Sequence, residues 1–287
     1  MTKEHADLHL HTTFSDGFLS PEDVLKNAFI HRLKAISITD HETVEGVAIA
    51  VSEAKQYGIE VIPGIELSAS TVAGEIHLLG YFIDYQDVTL QKTLAELKKK
   101  RENRLKKIVN NLSAQDVHVD FDALLKFAGP GTMGRLHLAH FLCRNKIVSH
   151  IYEAFDKYIG SDKPAYEKVD ALTPQEAIKL ILSAGGIPVL AHPESKHLDD
   201  LIRSLTSIGL KGLEVYHSKF DKKDSQCLLA MARKHDLLVT GGSDCHGEGK
   251  LIPLIGKIKL PYAYVEKLKN HAGINYSVLK TYKTEHF

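Results

Sequence analysis

The sequence predicts an α/β fold in which parallel strands are covered by helices and one helical segment interrupts the series. Three observations predict it. Short apolar runs alternate with amphipathic stretches, the pattern of strand–helix–strand units with parallel pairing. Polar residues recur at the C-terminal ends of the apolar runs, where α/β barrels and sheets hold their sites. Between about Val88 and Leu172 the strand signals give way to helical ones. The 287 residues suffice for one large α/β barrel, or for a core domain with an insertion.

The elements follow in order. The first strand carries "DLHLHTTFSDG" (7–17). "SPEDVLKNAFIHRL" starts a helix with Ser20 as N-cap and Pro21 at its first position. "KAISITDH" (34–41) is a buried strand with a polar end, and "TVEGVAIAVSEAKQYG" is a helix stopped by Gly58. "EVIPGIELS" (60–68) and "EIHLLGYFI" (75–83) repeat the strand form. In "TLQKTLAELKKKRENRLKKIVNNL" the residues Leu90, Leu94, Leu97, Leu105, Ile108 and Leu112 recur near helical spacing. "FDALLKFAG" and "LHLAHFLCRNKIV" also read as helices. "TPQEAIKLILSAGG" restores the rhythm, with Thr173 as cap, Pro174 next and Gly185–Gly186 as stop. The strands "GIPVLAHP" (186–193), "GLEVYH" (212–217) and "LLVTGGSDCH" (237–246) complete the series. The chain thus divides into one body from 1–87 and 173–287 and a helical insertion over 88–172.

Composition narrows the function. Lys plus Arg and Asp plus Glu are both 36, so no global cationic field attracts nucleic acid. An anionic substrate must be held by local charge or by metal. Cys143, Cys227 and Cys245 are far apart and form no C-x-x-C, which argues against a disulfide framework and fits a reducing cytoplasm. The first residues hold no apolar signal core, and no apolar run approaches the ~18 residues of a membrane span. A soluble, cytoplasmic protein is expected, with no membrane partner and no obligate protein partner.

Histidine is the unusual component, at 17 residues. In a strand, residues i and i+2 share a face, so His9 and His11 can chelate one ion. Alone, the pair reads equally as two satisfied histidines on a polar strand face. Asp16, His41, Glu66, His77, His192, Asp244 and His246 also fall at or beside strand ends, and the last two repeat the i, i+2 spacing. Six histidines with three carboxylates suit Zn²⁺, Mn²⁺ or Fe²⁺ better than Ca²⁺, which prefers oxygen shells. Nine ligands are too many for one ion and suit two or three.

"DLHLHTTFSDG", "ITDHET", "PGIELS", "IHLLGY", "LAHP" and "GGSDCHG" resemble, in order, the motifs of the polymerase and histidinol phosphatase (PHP) superfamily, over residues 7 to about 248. The resemblance implies a distorted (βα)₇ TIM-like barrel with a trinuclear metal centre at the C-terminal strand ends. The branch it suggests acts on AMP, 3′,5′-nucleoside bisphosphates or the 5′ end of RNA, and carries a helical insertion at this place. By resemblance, His9, His11, Glu66 and Asp244 hold one metal. Glu66 bridges to a second, bound also by His77 and His192. Asp16, His41 and His246 hold the third. Mn²⁺ is the expected ion, with Zn²⁺ or Fe²⁺ as alternatives. Asp7 and Asp40 match positions beside ligands, where a carboxylate orients an imidazole or simply caps a strand end.

No serine or cysteine sits beside an obvious base, and Cys245, between two ligands, should face away from the metals. The nucleophile is read as metal-bound water, with no protein nucleophile. The basic run "KKKRENRLKK" (98–107) is mostly a solvated helix face. Its Arg101 and Arg104 share one side and, with Arg135 in "MGRLH", match the family's substrate-binding positions. The family often has Gly-Arg-Pro where this chain has Gly134-Arg135-Leu136. Tyr216 and His217 end a strand and could contact a base or phosphate; His217 reads equally as a packed strand-end residue and stays off the metal list. The expected activity is hydrolysis of phosphoesters on 5′-phosphorylated nucleotides or short RNA, the insertion forming a lid. The alternatives are a histidinol-phosphate phosphatase and a non-catalytic metal-binding module.

Overall fold

The computed structural model describes residues 4–72, 74–168, 170–194, 197–247 and 254–273. Among the described residues there are eight strands: β1 (His5–Leu10), β2 (Ala35–Ile38), β3 (Glu60–Thr71), β4 (Gly74–Tyr81), β5 (Ile187–Leu190), β6 (Gly212–His217), β7 (Leu238–Gly242) and β8 (Leu260–Pro261). They hydrogen-bond in the order β7-β6-β5-β4-β3-β2-β1-β8. The sheet also closes on itself. His11 N–H donates to the Cys245 carbonyl (3.0 Å) and Asp244 N–H to the His9 carbonyl (2.9 Å), joining the end of β7 to the end of β1. Gly242 permits this approach, since a Cβ there would lie 2.3 Å from His9 Cβ. At the opposite end, β8 takes the same edge of β1 instead, pairing His5 with Pro261. The predicted distorted barrel is what forms.

Besides β8, which pairs antiparallel with β1, one strand departs from the expected parallel pairing. β4 is antiparallel to both β3 and β5. The cause is connection length: only residues 72 and 73 separate β3 from β4, far fewer than a parallel crossover needs. The consequence is functional. His77 lies near the start of its strand, but an antiparallel strand starts where its parallel neighbours finish. His77 therefore aligns with Ser68, two residues beyond Glu66, at the same barrel end as the other candidate ligands.

The helices form for local reasons legible in the chain. α1 (Pro21–Ile30) begins where Ser20 Oγ accepts the Asp23 N–H (3.1 Å). α2 (Glu45–Tyr57) ends on Gly58 at φ +63°. After β4 come α3 (Val88–Ser113), α4 (Phe121–Ala128), α5 (Arg135–Arg144) and α6 (Ile151–Ala154), the last running into a π-helical turn at Phe155–Ile159. α7 (Pro174–Ser183) starts with a capping box, in which Thr173 Oγ1 accepts the Glu176 N–H and the Glu176 carboxylate accepts the Thr173 N–H. Such caps contribute about 1 kcal/mol each. α8 (Leu198–Ser207), α9 (Lys222–Lys234) and α10 (Ala263–His271) complete the set. No helix among the described residues is long and apolar enough to cross a membrane.

Three hydrophobic cores follow from this layering. The barrel interior packs Ala6, Leu8, Ile62, Leu79, Tyr81 and Val189 with Val265 and Leu268 of α10. Tyr81 is wholly buried there, its hydroxyl donating to the Leu8 carbonyl (3.0 Å). A second core lies between the strands' outer faces and the helices, and takes in Leu90, Leu94 and Leu97 of α3. The third belongs to the insertion and is built from residues between Leu105 and Ala165. α3 therefore serves two bodies, its first half packing on the barrel and its second half founding the insertion core.

Candidate metal centre

The barrel's apolar filling stops at the closed end, and imidazoles and carboxylates take over. Glu66, on β3, sits at the centre with 1 % of its surface exposed. Its Oε1 lies 2.8 Å from His77 Nδ1 and 3.0 Å from His192 Nε2. Its Oε2 lies 3.2 Å from both His9 Nε2 and His11 Nε2, and 3.3 Å from His41 Nδ1. Asp244 Oδ1 is 3.2 Å from His11 Nε2, and Asp16 Oδ1 is 3.2 Å from His246 Nε2. All nine residues proposed from the sequence thus converge, although residues 9 and 246 stand at opposite ends of the chain. Donor atoms lie within 4.8 Å of one another in overlapping groups, among them His11–Asp16–His41–His246, His9–His11–Asp244, His9–Glu66–His192 and His41–Glu66–His77.

The donor set fits divalent cations. His9 Nε2 and His11 Nε2 stand 3.2 Å apart, with carboxylate oxygens around them. Among the described residues, the buried Asp16 Oδ1 accepts no hydrogen bond of good geometry despite imidazoles at 3.2–3.9 Å. Nitrogen and oxygen lone pairs packed this closely require a shared positive charge, whether protons or metal. Burial pushes the His77 imidazolium down, but Glu66 and Glu75 outweigh it and hold the group up at about 10. Burial likewise opposes His11, which Asp244 and Glu66 hold at about 9. Glu66 is kept well below the usual carboxylate range, against its own burial, by His41, His9 and His77. Two of the nine adopt left-handed backbone angles that favour glycine: His192 at φ +23° and Asp244 at φ +54°. Such angles concentrate at functional sites, where the surrounding structure enforces them.

A cleft of about 850 Å³ opens directly above the cluster. Its far wall is the insertion, with Arg101, Arg104, Arg135 and Tyr166. Arg104 and Arg135 flank the Tyr166 ring, their guanidinium carbons 5.5 and 5.2 Å from its centre. Each is anchored by one bond, Arg104 Nε to the Glu167 carbonyl (2.9 Å) and Arg135 Nη1 to the Ile159 carbonyl in the π-turn (3.1 Å). Among the described residues, the buried Arg104 Nη2 has no hydrogen-bond partner. Burial lowers the pKa of both guanidiniums, and Arg135 lowers that of Arg104 further. Arg101 differs: its Nε pairs with Glu42 and its Nη2 donates to Ser68 Oγ (3.0 Å). Where the family often has proline after the arginine, α5 is instead capped by His137 Nδ1, which accepts the Gly134 N–H (3.2 Å).

The sequence profile of the PHP domain matches residues 7–273. The chain belongs to the PHP family. It is 33% identical to a 5′-3′ exoribonuclease of Haemophilus influenzae, over 86% of this chain and 91% of that one. It is 29% identical to a 3′,5′-nucleoside bisphosphate phosphatase of Chromobacterium violaceum, over 85% and 88%. Among solved structures, a proposed metal-dependent phosphoesterase from Bifidobacterium adolescentis superposes with a TM-score of 0.87 at 28% identity, covering 95% of this chain and 98% of that one. The motif resemblance and the barrel predicted from it are both borne out.

Other residues around the cluster stand where sequence parity does not place them. Asp7 Oδ1 accepts the backbone N–H of Ser243 (2.8 Å) and of His9 (3.4 Å), and burial pushes its carboxyl up to about 6. Asp40 accepts the Thr12 N–H (2.7 Å) and the hydroxyls of Thr12 and Ser15. Among the described residues, neither carboxylate reaches an imidazole; both tie loop backbone instead. Glu214, which the sequence reading passed over, lies 3.0 Å from His9 Nδ1. His217 is buried beside it, 3.5 Å from Asp244 Oδ2. The available signal was the charge in "GLEVYH", since a glutamate inside an otherwise apolar strand must find a partner. Cys245, as expected, is turned from the cluster: its Sγ accepts the N–H groups of Gly247 and Leu254, and it packs in the outer core.

Proposed function

We propose that this chain is a metal-dependent phosphoesterase that hydrolyses phosphoesters of 5′-phosphorylated nucleotides or short 5′-phosphorylated RNA. One observation carries the reading: the arginine wall of the insertion and the His/Asp/Glu cluster of the barrel face each other across a single cleft. The exoribonuclease and bisphosphate phosphatase named above support the nucleotide class.

His9, His11, Glu66 and Asp244 would hold one ion, Glu66, His77 and His192 a second, and Asp16, His41 and His246 a third, with Mn²⁺ the expected species. Bound divalent ions would supply Lewis-acid charge for phosphoryl oxygens and lower the pKa of water toward neutrality. The chain's own groups do the rest. Arg104 and Arg135 are held close with their positive charges unmatched by each other, a pair that an anion would relieve. Tyr166 stacks against both and keeps their forks in place. Arg101, neutralised by Glu42, positions the wall more than it draws the anion. The insertion, with its own core, serves as a lid that admits one chain end. Cys245 and Ser243 are buried and do not line the cleft, and the attacking oxygen in this reading is that of water.

The test is phosphate or nucleotide release from AMP, a 3′,5′-nucleoside bisphosphate, a 5′-phosphorylated oligoribonucleotide and histidinol phosphate, each with Mn²⁺ and with chelator. Preference for the first three supports the reading. Turnover of histidinol phosphate alone, or of none, overturns it.

A further inference from the structure

β6 is irregular. Its register with β7 runs Glu214 to Thr240, then Tyr216 to Gly241 and His217 to Gly242, so one residue is inserted opposite a single step of its partner. In a regular strand, residues three apart face opposite sides. The bulge reverses this and turns His217 onto the face of Glu214. Val215 between them packs in the outer core, while Glu214 and His217 are both buried at the cluster.

Glu214 makes two contacts there. Its Oε1 lies 3.0 Å from His9 Nδ1. Its Oε2 accepts the His192 N–H (2.8 Å), at the residue whose φ is +23°. An ionised carboxylate only accepts, so His9 Nδ1 carries the hydrogen, and in the neutral ring that ion binding requires His9 Nε2 presents a lone pair toward His11, Glu66 and Asp244. His217 is fixed in a similar way. Its Nδ1 accepts the Lys219 N–H (3.1 Å), which directs its Nε2 toward Asp244 Oδ2 at 3.5 Å. Its ring also packs on His9 and His192, with centres 5.9 and 5.3 Å apart.

We propose that the β6 bulge builds a buried brace, Glu214 with His217, that sets the tautomer of His9, holds the strained backbone of His192 and backs Asp244, so that these three are pre-arranged for ion binding. Both are positioning residues. The proposal rests on the metal-centre reading above, and adds that the ions depend on a pair of residues that need not touch them. A metal-bound histidine gains affinity when its second nitrogen is held by a carboxylate, and losing that partner commonly weakens binding about 10–100-fold.

Glu214→Gln tests this with size preserved. A glutamine can offer its oxygen to His9 or to the His192 N–H, but its NH₂ group, a donor, then faces the other. The measurement is Mn²⁺ affinity and stoichiometry of metal-stripped, full-length protein, read as free Mn²⁺ by electron paramagnetic resonance, beside the melting of the stripped protein. The expected result is wild-type folding with about 10–100-fold weaker Mn²⁺ binding, while Glu214→Asp recovers part of the loss. A folded Glu214→Gln that binds Mn²⁺ as the wild type does overturns the brace, and so does a lowered melting temperature with unchanged affinity. If Glu214→Gln does not fold, His217→Gln decides: weaker binding supports the brace, unchanged binding overturns it. A wild type that takes up no Mn²⁺ overturns the metal-centre reading instead, so the two failures are separable.

Discussion

The Arg101 guanidinium is ion-paired with Glu42, the residue after candidate ligand His41, and so fastens α3 to the barrel beside the cluster. Both side chains are largely buried, and Glu42 Oε1 also accepts the Ser68 N–H (2.8 Å). Glu42 itself sits at φ +47°, a strained backbone that the pair helps to hold. Removing Arg101 leaves a buried carboxylate without its counter-charge. Arg101→Ala should therefore cost on the order of 3 kcal/mol of stability, read by urea unfolding. Arg104→Ala, which strands no carboxylate, should cost clearly less. Equal costs would mean that the pair does not anchor the insertion.

Glu66 touches more of the candidate ligands than any other carboxylate, its two oxygens facing five imidazoles. Glu66→Gln should lower bound Mn²⁺ by more than one equivalent, because the change affects two ion positions at once. Elemental analysis of the dialysed protein checks this. Exhaustive chelation should abolish phosphate release and added Mn²⁺ restore it; activity that survives chelation would remove metal from the mechanism.

Arg135 and Arg104 give a different signature. Arg135→Ala deletes a charge-assisted contact worth about 1.5–3 kcal/mol, or roughly 10–100-fold in binding. KM for a 5′-phosphorylated substrate should rise by that factor while bound Mn²⁺ stays constant. Unchanged KM takes Arg135 out of the substrate site.

pH should act oppositely on the stripped and loaded proteins. In the stripped protein, His77 and His11 have pKa values raised to about 10 and about 9 by the carboxylates around them. A raised folded-state pKa contributes stability that is whole below the unfolded value of about 6.5 and is lost as pH climbs through the folded value. The stripped protein should thus melt at lower temperature at pH 10 than at pH 7. Ion binding needs neutral imidazoles, so Mn²⁺ must displace these protons, and its affinity should rise with pH across the same window. Calorimetry in two buffers of different ionisation enthalpy measures the release. No proton release on binding would contradict these assignments.

The sequence by itself determined the alternation of strands and helices, the caps at Ser20 and Thr173, the run of helices between β4 and β5 and the nine residues that now cluster. These are local signals: a cap bonds three residues away, and an H-x-H pair shares a face because side chains alternate along a strand. Tertiary structure alone decided three things. It ran β4 antiparallel, which brought His77 from the beginning of a strand into the site. It spent Arg101 on Glu42 and left Arg104 and Arg135 to face the cleft. It bulged β6, which put Glu214 and His217 on one side, where alternation separates them. Each depends on which strand or helix lies alongside, and how closely. Register, bulges and ion pairs are properties of two segments in contact, and a single segment's spacing holds no record of its neighbour.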